Sequence, residues 1–366
     1  MHVATVTEKN AFGLEPGDYV SEDINAAEML GRGWASEINR KDAPQPRKFD
    51  PELNWDGRSI LFVRPGGFGD LLFLTPTMRE IKRRWTTAEI CVACFDRFEP
   101  VLENNPDVAE LIRYPIALNP SNCAGSIASW GDFDAHIWLE NIIEKNPDAL
   151  NTHAVDLIAD RCGIKLADKQ MRYYVTTDEF QEAREEFPGE PIRSRRIGIQ
   201  MSASGSCRMY PHMQEVSIQL WREGCEIFLF GAAGEIKSNE PDGLVNLMQR
   251  GKSFRESCAI LATCDCLVAP DSALTHVAGA LGVPCVALYG PFPWTLRTAY
   301  APKTFAIQGV GACSPCFWHG RHGDPFPEHG PCFRTGRCEV LASIPVDRVV
   351  REVMKKLENP ARMEAA

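Results

Sequence analysis

The chain has 366 residues, with 39 Lys and Arg against 49 Asp and Glu, for a formal charge of −10. Its 44% apolar and 24% charged residues allow a full core and exclude disorder along the whole chain, and its length suits two domains of roughly 150 residues. The acidic balance argues against non-specific nucleic-acid binding, and no apolar run nears the ~20 residues that cross a bilayer. The start, MHVATVTEKNAFGLEPGD, has no basic segment followed by an apolar one, so no secretory signal and a cytoplasmic location are expected. Most of the 14 cysteines sit singly in apolar runs, such as Cys91 and Cys94 in EICVACF and Cys285 in PCVALYG, and read as small core residues of a reducing compartment.

Residues 1–57 read as an N-terminal appendage and linker. Ala26, Ala27, Met29 and Leu30 suit one short helix ended by Gly31 and Gly33, and KDAPQPRKFDPELNWDGR is polar with three prolines. The stretch LEPGDYVSEDINAAEMLGRGWASEI resembles short modules of phage structural proteins and is assigned no chemistry. From Ser59 the texture changes: SILFVRP is an apolar strand, followed by GGFGD and LLFLTPTMREIKRRW. Leu71, Leu74, Met78, Ile81 and Trp85 recur at threes and fours, one face of a helix. Either Pro76 kinks that helix, or a turn precedes a helix capped by Thr75 with Pro76 at its first position. EICVACF (strand), a helical stretch to Asn104, ELIRYP and DFDAHIWLE (strands), HAVDLIADRCGI (helix) and MRYYVT (strand) follow.

EEFPGEPIRSRR interrupts with charge and proline and reads as an interdomain linker. The alternation then restarts, with strands RIGIQMSA, EIFLFG, LVNLM, CLVAP and PCVALYG and helices PHMQEVSIQLWREG, SFRESCAILATC and SALTHVAGALG. PVDRVVREVMKKLE closes the chain as an amphipathic helix with Val346, Val349, Val350 and Met354 on one face. The expected organisation is an N-terminal Rossmann-like domain over 58–190, a C-terminal one over 191–345 and a helix and tail over 346–366. Both domains are α/β and doubly wound, facing across a cleft, with ligands at the carboxyl ends of the strands.

Four places can carry chemistry. Gly66-Gly67-Phe68-Gly69-Asp70 follows the first strand of the first domain; such a turn brings backbone N–H groups, Gly69 among them, close to an anion. It lacks the G-x-G-x-x-G spacing and a Walker lysine, which disfavours nicotinamide enzymes and P-loop NTPases. Asp70 reads as a helix N-cap or as a general base for an incoming hydroxyl. Pro270-Asp271-Ser272-Ala273-Leu274-Thr275-His276 puts the start of a small-residue helix, an anion site, at a strand end; Asp271 or Ser272 caps it, and His276 reads as a core histidine or a site residue. Arg208, in SASGSCRMYP, suits a phosphate clamp or a solvated cation, and Glu235, in GAAGE, a ribose contact or a solvated carboxylate.

Together these pieces resemble glycosyltransferase family 9, the ADP-heptose:lipopolysaccharide heptosyltransferase group. The resemblance lies in GGFGDLLFLTPTMREIKRRW, RMYP, FLFGAAGE and SFRESCAILATCDCLVAPDSALTHVAGALGVPCVALYGP, and runs from about Ser59 to Glu358. Ala273 stands where the family usually has Gly and Arg208 where it often has Lys; neither change removes a backbone donor or the positive charge. The resemblance implies a GT-B fold and inverting transfer of a heptose-like sugar, without a catalytic metal, from an ADP-linked donor to a lipopolysaccharide core or similar glycan. Asp70 would be the base, and the N–H groups of Ser272, Ala273 and Leu274 with Arg208 would hold the leaving diphosphate. Alternatives are a protein O-heptosyltransferase of autotransporter type and a non-catalytic, phage-borne nucleotide-sugar-binding module.

Cys313, Cys316, Cys332 and Cys338 lie in a Gly-, Pro- and His-rich segment, 311–340, that has no core pattern. Their spacing matches a four-thiolate structural site for Zn or Fe, with His319, His322 and His329 as alternative ligands. A similar cluster occurs in some family members and holds iron in the related autotransporter heptosyltransferases.

Overall fold

The computed structural model describes residues 3–6, 19–21, 35–38, 48–113, 133–143, 146–189, 195–232, 240–317, 332 and 335–358. The chain divides into two compact units, residues 1–146 with 155–168, and residues 147–154 with 169–366.

In the first unit, β1 (Val3–Val6), β2 (Tyr19–Ser21) and β3 (Ala35–Ile38) form a small antiparallel sheet of order β2-β1-β3. The expected helix at Ala26–Leu30 lies outside the described residues. The later part of the stretch expected as a linker belongs to the core instead. Phe49 and Trp55 are buried and stacked at 4.9 Å, and Phe49 meets Trp85 edge-on at 6.2 Å. These two aromatics offset the turn-forming prolines and polar residues around them, because each buries a large apolar area.

The main sheet of this unit is parallel, of order β6-β5-β4-β7, built from β4 (Ser59–Val63), β5 (Glu89–Cys94), β6 (Glu110–Arg113) and β7 (Ala135–Trp138). Ile60 to Val63 are fully buried, as expected of a central parallel strand covered on both faces. After β4 the chain forms α1 (Phe68–Leu72) and α2 (Thr75–Arg84), separated at Phe73 and Leu74. Pro76 sits in the first turn of α2, where its missing N–H costs nothing. This is the turn-then-helix alternative, with Leu74 rather than Thr75 at the cap position. The helix α3 (Ala154–Arg161) follows β7.

The second unit holds a six-stranded parallel sheet of order β10-β9-β8-β11-β12-β13. Its strands are β8 (Arg196–Gln200), β9 (Glu226–Phe230), β10 (Leu244–Asn246), β11 (Cys266–Pro270), β12 (Cys285–Tyr289) and β13 (Thr304–Gln308). Its helices are α4 (Thr177–Glu186), α5 (Met213–Arg222), α6 (Phe254–Ala262), α7 (Ala273–Leu281), α8 (Glu339–Ala342) and α9 (Val346–Glu358). Val349, Val350 and Val353 of α9 join one core cluster with Val216 and Leu220 of α5 and with Val268 and Val286 of the sheet.

MRYYVT forms no strand, which corrects the sequence expectation. Met171 and Tyr173 are buried and alternate with less buried neighbours, the pattern of a strand, but the carbonyl of Tyr174 accepts from Arg255 Nη2 at 3.0 Å. Arg255 also grips Glu179 at 2.5 and 2.6 Å, and this charge-assisted pair holds the Glu179 carboxyl below its usual range. The segment is thus extended but tied by a side chain rather than by a ladder.

Candidate functional site

In both main sheets the strand order reverses beside the first strand. In the first, β5 and β6 stack on one side of β4 and β7 on the other; in the second, β9 and β10 stack on one side of β8 and β11, β12 and β13 on the other. Ligands of doubly wound sheets bind at such points, outside the carboxyl ends of the strands. An arginine bridges the gap each time. Arg64, just after β4, donates through Nη1 to the carbonyl of Leu139, just after β7, at 3.0 Å. Arg208, after β8, donates through Nη1 to the carbonyl of Asp271, just after β11, at 3.2 Å.

Asp70 stands at the first of these points. It is the third residue of α1, not its N-cap; Gly67 holds the cap position. One carboxylate oxygen accepts from Gly67 N at 2.8 Å, and the other lies 3.1 Å from Arg64 Nη2. The glycines before it have a steric purpose. Gly66 adopts φ +30°, and a Cβ there would come within 3.1 Å of both Arg64 Cγ and Asp70 Cβ. A Cβ at Gly67 would stand 2.9 Å from Asp70 Oδ2. Gly-Gly therefore makes room for the Arg64–Asp70 pair, and Gly69 is the second residue of the same helix. In the sequence Arg64 carries one signal alone, an arginine at the end of a buried apolar strand.

At the second point, Ser272 is the N-cap residue of α7, with Ala273 and Leu274 as its first residues. Ser272 makes no side-chain capping bond, and its buried Oγ has no partner among the described residues. The nine-residue helix is buried along most of its length, so its N-terminal N–H groups and dipole act in a low-dielectric setting. Asp271 is 4% exposed and lies beside two guanidiniums and an imidazole: Arg297 Nε at 3.4 Å, Arg208 Nη1 at 3.8 Å and His276 Nε2 at 4.0 Å. Arg208 also donates to Ser204 Oγ, so it is a buried, anchored residue and not a solvated one. Burial, reinforced by Asp271, holds the Tyr289 phenol well above its ordinary range and therefore neutral. Arg208, Asp271, Ser272, Ala273, Leu274 and His276 thus converge, whereas Glu235 lies outside the described residues. Arg297, six residues beyond the end of the PCVALYGP run, joins them only through the fold.

The four cysteines of the 311–340 segment also converge. With Cys207 and Gly290 they line one cavity of about 320 Å³ in the second unit. A Cβ at Gly290 would come within 2.8 Å of Cys338 Sγ, so the glycine admits the thiol. Among the described residues, however, no three His, Cys, Asp or Glu stand close enough to clasp an ion. Cys338 Sγ is spent as the N-cap of α8, accepting from Leu341 N at 3.4 Å. Burial raises the Cys338 thiol and pushes that of Cys207 up to about 12. The four cysteines therefore share a cavity without standing at ligand distance among the described residues; His319, His322 and His329 lie outside the described residues.

A sequence model of Glycosyltransferase family 9 (heptosyltransferase) matches residues 123–324, more than half of the chain. The chain belongs to this family. Over 98 residues it is 39% identical to Lipopolysaccharide heptosyltransferase 2 of Salmonella typhimurium and 38% identical to that of Escherichia coli. Each match covers 24% of this chain and 28% of the relative. Family membership extends to the fold. The structure of E. coli ADP-heptose lipopolysaccharide heptosyltransferase II superposes with a TM-score of 0.63 at 20% identity, covering 82% of this chain and 99% of the other. The iron-containing dodecameric glycosyltransferase TibC from enterotoxigenic E. coli superposes with a TM-score of 0.53 at 13% identity, covering 89% and 79%. These family neighbours share the α/β, GT-B fold. Among the described residues no helix is long and apolar enough to cross a membrane.

Proposed function

We propose that this chain is an inverting glycosyltransferase that moves a heptose-like sugar from an ADP-linked donor to a hydroxyl of a lipopolysaccharide core or similar glycan. The observation that carries this reading is the second switch point, where Arg208, Ser272 and the open N-terminus of α7 gather around buried Asp271. Breaking the bond to the anomeric carbon leaves charge on a diphosphate. Fixed N–H groups of Ser272, Ala273 and Leu274 and the guanidinium of Arg208 stabilise that charge as it forms, so the reading needs no catalytic metal. Asp271 does not touch the diphosphate in this reading; it anchors the arginines. His276 sits on its other oxygen, Glu235 is assigned to the ribose, and Gly69 belongs to the turn that presents Asp70. Asp70 takes the acceptor proton as the hydroxyl attacks the anomeric carbon from the face opposite the diphosphate. The first unit thus serves the acceptor and the second the nucleotide sugar.

We also assign a structural Zn or Fe to Cys313, Cys316, Cys332 and Cys338. Their thiol chemistry and shared cavity support it, and the metal would supply a cross-link between the two arms of the segment. A second reading, in which the acceptor is a protein hydroxyl, rests on the resemblance of the cysteine segment to that of autotransporter heptosyltransferases. We place the protein in a reducing, cytoplasmic setting because most of its cysteines sit singly inside apolar runs.

The test is to incubate purified protein with ADP-heptose alone, with a truncated lipopolysaccharide core, and with an autotransporter passenger protein. ADP release that depends on one acceptor, with the product's anomeric configuration inverted, is the expected result. Binding of ADP-heptose with no release on any acceptor would leave the non-catalytic module, and failure to bind any ADP-linked sugar would overturn the donor.

A further inference from the structure

β11 and β12 are parallel neighbours with Pro270 opposite Leu288, so the residues that follow them leave the same sheet edge side by side. The loop after β12 is braced. Trp294 N donates to Gln308 Oε1 at 3.2 Å, and Gln308 Nε2 donates back to Gly290 O at 3.3 Å. Thr298 Oγ1 donates to Trp294 O at 3.3 Å and accepts from the Tyr289 hydroxyl at 3.4 Å. Arg297 leaves this fixed backbone with its guanidinium 4.4 Å from the Phe292 ring centroid and its Nε 3.4 Å from Asp271 Oδ2. Its flat face and Nε are therefore engaged. Among the described residues the side chain donates no hydrogen bond, so both terminal nitrogens remain for a ligand.

Arg208 approaches the same oxygen of Asp271, which places two guanidiniums on one carboxylate beside the start of α7. Ser272, at that start, is nine-tenths buried with its Oγ unpartnered among the described residues. A guanidinium laid on a ring, with its fork open, is preorganised for phosphate oxygens, so little entropy is lost on binding. One arginine and one helix end suffice for a single phosphate. The second arginine keeps its terminal nitrogens beyond what Asp271 and Phe292 occupy, which suits a second phosphate.

We infer that Arg297 is a second phosphate-contacting guanidinium of the donor site and makes that site prefer a nucleoside diphosphate to a monophosphate. This rests on the nucleotide-sugar reading above. Calorimetric titration of the full chain with ADP and with AMP tests it, using Arg297→Ala, Arg297→Gln and Arg297→Lys, with thermal melts as the check on folding. The parent should prefer ADP. Ala and Gln should weaken ADP about tenfold or more, the worth of a charge-assisted bond, while changing AMP by less than about threefold. Lys should recover part of the loss. A parent that binds ADP and AMP equally, or folded Ala and Gln variants that keep the parent's preference, would overturn the inference alone. A parent that binds neither nucleotide would overturn the donor reading itself, and this inference with it.

Discussion

The guanidinium of Arg64, 2% exposed, lies 3.1 Å from the carboxylate of Asp70, and its other arm reaches the carbonyl of Leu139 at 3.0 Å. The proposed base is thereby held by a residue that itself spans the switch point of the first sheet. Removing one member of a buried ion pair leaves the other uncompensated.

Arg64→Met should therefore lower stability by about 3 kcal/mol, seen as a reduced urea midpoint. Asp70→Asn should leave ADP binding intact and cut transfer at least ~100-fold, the usual worth of a general base. Normal turnover in a destabilised Asp70→Asn protein would reduce the carboxylate to a structural partner of Arg64 and Gly67.

Gly66→Ala should destabilise by about 1–3 kcal/mol, because φ +30° suits glycine and the new methyl group meets Arg64 and Asp70 at 3.1 Å. Transfer should fall with it, since the methyl displaces the base. Gly224→Ala is a control for backbone strain alone: its φ is +87°, and nothing lies within 4 Å of the added carbon. Equal losses of activity in the two variants would argue against a special role for the Gly-Gly turn.

Arg208→Ala should weaken ADP binding about tenfold or more, from the loss of a charge-assisted contact to phosphate. It also leaves Asp271 with one cation fewer, so a lower melting temperature is expected alongside. Calorimetry with ADP reads the first effect and a thermal melt the second. Unchanged affinity in a less stable protein would make Arg208 a purely structural residue.

Burial pushes the thiols of Cys162, Cys258 and Cys266 up to about 12. Unfolded, they ionise near 8.5. A folded value above the unfolded one means stability that is fully present below about pH 8.5 and lost as pH rises toward 12. Each such thiol costs about 1.4 kcal/mol per pH unit within that window. The urea midpoint, measured with reductant present, should be flat from pH 7 to 8 and lower at pH 10. A midpoint unchanged at pH 10 would mean that these thiols ionise equally easily in both states.

Elemental analysis should find about one Zn or Fe per chain, lost when Cys313 and Cys316 are both changed to Ser. Chelation should expose Cys332 and Cys338 to alkylation while the circular dichroism of the two sheets persists, since their cores lie elsewhere. Metal-free protein with full activity and readily alkylated cysteines would remove the metal from the account.

The largely apolar runs SILFV, RIGIQ and CLVAP determine buried parallel strands by themselves, because a strand covered on both faces is mostly apolar. Gly66-Gly67 and Asp271-Ser272 likewise mark turns and helix ends through local backbone chemistry. Burial of Phe49 and Trp55 was not legible, because prolines and charges around them mask a packing partner, Trp85, thirty and more residues away. Nor was the fate of MRYYVT, whose alternating burial is real but whose carbonyl at Tyr174 belongs to Arg255. Sheet order was decided only by the tertiary structure. It sets β4 beside β7 and β8 beside β11, and so turns Arg64 and Arg208 from strand-end cations into bridges. It also brings Arg297 to Asp271 across twenty-six positions of sequence. Local patterns report a residue's own burial and turn, whereas the meeting of two charges depends on which strands are neighbours.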